Sequence, residues 1–268
     1  MRAHEAQVKA EIAERYRSQL DAMAALHDAV VSIMAAVPWT IGKRRGLNPF
    51  VVKTLMGLLT KACKTFRSIQ ILSERGFEED ANPLVRVLME TTVAIIFILQ
   101  KKSKERAVIY HAHILAQNLR MLNEWKATPG LKRKAPKAML KRVNDGLAEH
   151  MTLLPAGTDV KHHWSGKRSL REAVKALRHD VMYASLYRFT SSSSHASDFG
   201  AHFQLLPTNE DFVWQIGPSA RGFEVASYAA RELFWMAANR IDQRLGLGFS
   251  ETLGPHKLTR ADIESGQR

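Results

Sequence analysis

Arg188 and His195 are the two residues whose types and spacing best fit a chemical role. They stand seven positions apart. On an α-helix that is close to two turns, so both side chains would share one face, with the small serines Ser191–Ser194 between them. A guanidinium suits bidentate contact with a phosphate. A histidine, with an ordinary pKa of about 6.5, exchanges a proton near neutral pH. Together they would cleave RNA with no metal or other cofactor. Arg188 would hold the phosphate and its developing charge, and His195 would act as acid or base on the 2′-hydroxyl or the leaving oxygen. Tyr187, Ser191 and Ser194 would orient the phosphate. Trp164 and Lys167, in the turn upstream, would complete the substrate-binding set.

The same residues admit other readings. Arg86 and Glu90 form an i,i+4 pair on the most apolar segment of the chain. They either fix packing as a buried ion pair or point into the site as catalytic partners. In the first case Arg188, His195 and Glu90 make a closed polar lock. His195, Asp198 and His202 would offer a metal-binding face, with a further ligand from His162, His163 or His179. A non-enzymatic alternative is a helical module that binds nucleic acid or a nucleotide without cleaving it. Ser/His/Asp hydrolysis finds no support, because no nucleophile elbow surrounds the serines. Neither a Walker loop nor a dinucleotide-type glycine loop is present.

Charge favours a phosphate-rich partner. The net charge is +13, and residues 101–142 hold twelve Lys/Arg against Glu105 and Glu124. Residues 161–188 add seven Lys/Arg against Glu172 and Asp180. Such a field attracts polyanions, RNA ahead of DNA in this reading. Cys63 is the only cysteine and falls on an apolar helical stripe. With an N-terminus lacking an apolar leader, it points to a reducing, cytoplasmic location.

The elements that must position these residues read as helices. The expected fold is all-α: a single multi-helix bundle over 1–249, with a core at 48–246 and a flexible tail at 250–268. A long first helix over 3–36, stopped by Pro38, would pack within the fold or against a second copy in a homodimer. Asn48-Pro49 starts a helix that ends near Glu74, with Gly76 as its left-handed stop. Asp80–Gln100 is read as a core helix, not a membrane span, because Arg86 and Glu90 interrupt it. Further helices are expected at 104–124 and 132–151, and over 170–179 behind a Ser169 cap with Glu172 completing the box. Two more are expected at 181–203 and 221–245. His111 and His113, two apart, should face different ways. The alternation Phe212-Val-Trp214-Gln-Ile216 predicts one short β-hairpin near 207–220.

Two stretches carry a resemblance. One is SIQILSERGFEEDANPLVRVLMETTV (68–93); the other is HWSGKRSLREA continuing to YASLYRFTSSSSH (163–195). They resemble a bacterial all-helical family catalogued as a domain of unknown function, with an R-x-L-x-E helix after a G-x-x-x-D-A turn. A W-S-G-K-S turn precedes its Y-R-x-x-S-x-x-x-H helix. The matching positions are Gly76, Asp80, Ala81, Arg86, Leu88 and Glu90, then Trp164 to Lys167, and Tyr187, Arg188, Ser191 and His195. Arg168 is inserted before Ser169. A looser likeness is to the HEPN superfamily of helical ribonucleases, in which an arginine and a histidine are separated by four to six residues near a dimer interface. Arg188 and His195 fit its longest spacing, with Phe189 where a polar residue is usual. That likeness implies a metal-independent endoribonuclease in bacterial defence or acting as a toxin.

Overall fold

A computed structural model describes residues 2–37, 46–129, 136–167, 169–179, 184, 203–205, 212–214, 217–248 and 250–259. The fold is all-α. Its helices are α1 (Arg2–Arg15), α2 (Arg17–Ala36), α3 (Pro49–Ser73), α4 (Glu78–Leu99), α5 (Ser103–Ala127), α6 (Lys137–Thr152) and α7 (Leu170–Ala176). Strands β1 (Phe203–Leu205) and β2 (Phe212–Trp214) follow, then α8 (Phe223–Leu245), the turn α9 (Ser250–Leu253) and a 3₁₀ turn at Gly254–His256.

Three helices form the centre, because each carries a wide apolar stripe that only the others can cover. α3, α4 and α8 pack on one another, α2 closes α3 and α8, and α5 lies across α3 and α4. Phe66 of α3 stacks on Phe234 of α8 with ring centroids 4.4 Å apart. The Thr92 hydroxyl of α4 donates to Leu88 O at 2.9 Å and to Leu233 O of α8 at 3.2 Å. α4 is the one described helix long and apolar enough to cross a membrane, and most of that stretch is buried by its neighbours. Cys63 is buried, as expected.

The punctuation follows local chemistry. Asn48 Oδ1 accepts from Phe50 N at 2.9 Å, with Pro49 in the first turn. Gly76 has φ 78°, and a Cβ there would sit 2.7 Å from both Ser219 O and Val8 Cγ1. Ser219 N donates to Gly76 O at 2.9 Å, so the α3–α4 turn is clasped by the segment entering α8.

Three features differ from the sequence expectation. The long first helix is broken at Tyr16, whose φ of −116° and ψ of 23° leave the helical region. Tyr16 instead stacks on Phe223 at 4.2 Å, and its hydroxyl donates to Glu224 Oε1 at 2.9 Å. The hairpin expected near 207–220 is seen as paired strands at 203–205 and 212–214. Phe203 pairs with Trp214 and Leu205 with Phe212, so strand replaces the expected end of the 181–203 helix. β2 needs a ladder partner, and β1 is the short β-competent run upstream of Pro207. Third, residues 250–259 are not free tail. Leu253 is buried in the core, and its carbonyl accepts from Trp235 Nε1 at 2.8 Å.

Candidate functional site

α4 exposes one stripe. Val85, Leu88, Met89 and Thr92 are buried, while Pro83, Arg86, Val87 and Glu90 are partly accessible. Within that stripe Arg86 Nε donates to Glu90 Oε1 at 3.4 Å, with the side chains 25% and 41% exposed. Arg86 is engaged further as well. A contact this long and wet is worth less than about 1 kcal/mol. The sequence left a buried ion pair open; α4 turns this pair outward instead.

The Trp-Ser-Gly-Lys turn is seated on α5. Gly166 takes φ 69° above Ile109, a conformation that favours glycine. The buried Ser165 Oγ accepts from Lys167 N at 3.3 Å and lies 2.7 Å from His163 Nδ1. His113 Nδ1 meets Val160 O at 2.9 Å, and Gln117 Nε2 donates to Lys161 O at 2.9 Å. Trp164 stands edge-on to Phe97 at 5.7 Å and Tyr110 at 6.1 Å. The structure therefore joins Arg86 to Glu90, but seats Trp164 about two turns further along α4, roughly 10 Å by helical rise. Lys167 is exposed.

Histidines pin this region in their neutral form. Burial, then the neighbouring His113, pushes His163 down to about 4. Burial, then His150 and Lys53, lowers His111, which lies 3.0 Å from Thr54 Oγ1. Burial also lowers His113. His111 thus faces α3 and His113 the 153–167 loop, the divergence expected from their spacing. His162 Nδ1 pairs with Asp159. Among the described residues, no group of three or more His, Cys, Asp or Glu is placed to hold a metal.

α7 carries the clearest basic face. Ser169 Oγ accepts from Glu172 N at 3.3 Å, the expected cap. Leu170, Ala173, Val174 and Leu177 are buried, and Arg171 and Lys175 of the helix and Arg178 just beyond it are exposed. Arg178, with φ 60°, closes the helix before the predicted end at 179. Lys137, Lys141 and Arg142 of α6 are also exposed. Tyr187, Arg188, Ser191, Ser194 and His195, with Asp198 and His202 of the metal reading, lie outside the described residues, as does the expected 181–203 helix apart from residue 184 and Phe203.

One chemically unusual group was missed by sequence reasoning. Glu78 is only 5% exposed, and its pKa is pushed up to about 8 by burial and by Glu224, against a bond from Ser73. The oxygens Gln70 Oε1, Glu78 Oε1 and Asn82 Oδ1 are buried with no hydrogen-bond partner among the described residues. In the sequence Glu78-Glu79-Asp80 reads only as an acidic first turn. The approach of Gly222 to the Glu78 side chain marks it as the inward one.

The profile of a family of unknown function, DUF5677, matches residues 52–212. The chain belongs to DUF5677. The matched span runs from the start of α3 to β2, and so takes in the Arg86–Glu90 stripe, the Trp-Ser-Gly-Lys turn and α7. The DUF5677 span leaves out α1, α2 and α8, although α8 fills the centre of the bundle. No curated protein and no solved structure matches the chain.

Proposed function

We propose that this DUF5677 member is a nucleic-acid-directed helical protein, and that Arg188 and His195 give it the chemistry of a metal-independent, HEPN-like endoribonuclease. In that reading the 2′-oxygen of RNA attacks the adjacent phosphorus and the 5′-oxygen leaves, giving a cyclic phosphate end. His195 moves the proton at one of those oxygens, and Arg188 neutralises the charge growing on the phosphate. Tyr187, Ser191 and Ser194 orient it. Such an enzyme would serve bacterial defence or act as a toxin.

The observation that supports nucleic acid as the partner is the exposed cations Arg171 and Lys175 on α7, with Arg178 in the turn just after it. Two cations one turn apart on a helix whose other face is fixed in the core, with a third at its end, offer contacts to neighbouring phosphates. Cleavage rests on the Arg188/His195 spacing in the sequence. The second reading, binding without cleavage, draws on the Arg86–Glu90 contact, which already occupies one carboxylate oxygen of the proposed catalytic set.

The test is incubation of the pure protein with RNA in EDTA beside Arg188→Ala and His195→Ala. Cleavage that survives EDTA and disappears in both variants is the expected result. RNA retention without cleavage assigns the binding module. Cleavage that persists in both variants sinks the proposed site.

A further inference from the structure

A second basic cluster lies where α4 turns into α5. A cavity of about 530 Å³ opens there between the start of α3, the α4–α5 corner and the end of α8. Its volume is ordinary for a small-molecule site, commonly about 300–1,000 Å³. Leu47, Val51 and Leu99 give it apolar lining, with Leu47 and Val51 buried. Lys101, Lys102, Lys104 and Arg244 also line it, and all four are exposed. Among the described residues, no carboxylate belongs to the lining.

Simple surface charge accounts poorly for this arrangement. Lys102 is paired with Glu105 at 3.2 Å, but Lys101, Lys104 and Arg244 form no ion pair with a described residue. The lysines are not needed to cap the carbonyl end of α4. Arg106 does that, with Nη1 donating to Phe97 O at 2.6 Å and to Gln100 Oε1 at 2.7 Å, its guanidinium 4.3 Å over the Phe97 ring. Like charges gathered on one concavity repel, and an anion removes that repulsion. The first turn of α5 adds to the field. Lys102 precedes it in a left-handed conformation, φ 63°, with no side-chain cap on the turn's N–H groups.

We propose that this cavity binds an organic phosphate, with its phosphate among Lys101, Lys104 and Arg244 and its apolar body on Leu47, Val51 and Leu99. Of the residues proposed for RNA cleavage, the described ones, Arg86 and Glu90, do not line the cavity. The test probe contains no RNA, so failure of this site and failure of the nuclease reading are distinguishable.

Naphthyl phosphate is a suitable probe, because it carries both halves and fluoresces. The full chain should bind it saturably and at least about tenfold more tightly than naphthol or inorganic phosphate alone, with affinity falling as salt rises. Lys101→Ser/Lys104→Ser and Arg244→Gln should each weaken it by about tenfold or more with unchanged melting curves. Lys141→Ser, an exposed α6 cation paired with Asp145, should leave it unchanged. Acetylation footprinting supplies a readout on the unaltered chain: bound probe should protect Lys101 and Lys104 but not Lys141. Dihexanoyl phosphatidate and ATP, used as competitors, distinguish a lipid source from a nucleotide source, and displacement by either supports the site. No saturable binding, equal binding of naphthol, or protection that ignores Lys101 and Lys104 would overturn it.

Discussion

The Ser73 hydroxyl donates to Glu78 Oε2 at 2.7 Å, while Glu78 Oε1 has no hydrogen-bond partner among the described residues. One short bond does not offset the loss of water around a buried carboxylate, so the group holds its proton near neutral pH. Its pKa rises from 4.5 to about 8 on folding. The folded state therefore binds more protons than the unfolded chain between those values, and stability must fall as pH rises through that window. Glu78→Gln removes the titration. Its melting temperature should gain on the unaltered protein steadily from pH 5 to pH 8, and parallel curves would refute the assignment.

His163 acts in the opposite sense. Its pKa falls from 6.5 to about 4, so the unfolded chain takes up the proton first. The stabilisation is complete above pH 6.5 and is lost as pH drops towards 4. Asparagine at this position keeps an acceptor for the Ser165 hydroxyl and cannot charge. His163→Asn should flatten the acid side of the stability profile, as read from urea midpoints between pH 4 and pH 7.

Two glycines should respond in opposite directions. At Gly76 the positive φ and the 2.7 Å approach of Ser219 O leave no room for a Cβ. Gly76→Ala should cost more than about 1 kcal/mol. Gly57 lies within α3 with nothing within 4 Å of a Cβ position. Gly57→Ala should add about 0.5–1 kcal/mol through helix propensity alone. Chemical denaturation of the pair separates backbone strain from a general intolerance of added bulk.

The Phe66–Phe234 stack joins α3 to α8 with both rings fully buried. Phe234→Ala opens a cavity between central helices that cannot collapse, and should cost about 3–5 kcal/mol. A loss below about 1 kcal/mol would mean that α8 is not held by this contact.

Glu90→Gln tests whether the Arg86–Glu90 pair locks the fold. For a half-exposed pair at 3.4 Å the stability change should stay within about 0.5 kcal/mol. If RNA cleavage falls while the melting curve holds, Glu90 serves the site. A large drop in melting temperature would identify the lock.

Much of the bundle was legible in the sequence. α3, α4, α5 and α8 carry strong helical periodicity, and Asn48-Pro49 and Gly76 mark the two ends of α3 through local conformational preference. What escaped is set by residues distant in the chain. The break at Tyr16 depends on Phe223 and Glu224, and the order of 250–259 depends on Trp235 and Arg231. Of the candidate site, the spacing of Arg86 and Glu90 gave their contact. Their exposure depends on which stripe of α4 its neighbours leave uncovered. The cations around the α4–α5 cavity were visible as charge, but not as a concavity assembled from three separate stretches.

The position of α8 also bears on how the chain is made. Residues 223–245 pack against α2, α3 and α4, all of which leave the ribosome well before it. Until α8 emerges, Phe66 and Thr92 lack the Phe234 ring and the Leu233 carbonyl that they meet in the folded chain. At roughly 5–20 residues per second the wait between the end of α4 and the end of α8 is on the order of ten seconds or more. Apolar surface left open for that long during translation is the surface through which partly made chains aggregate.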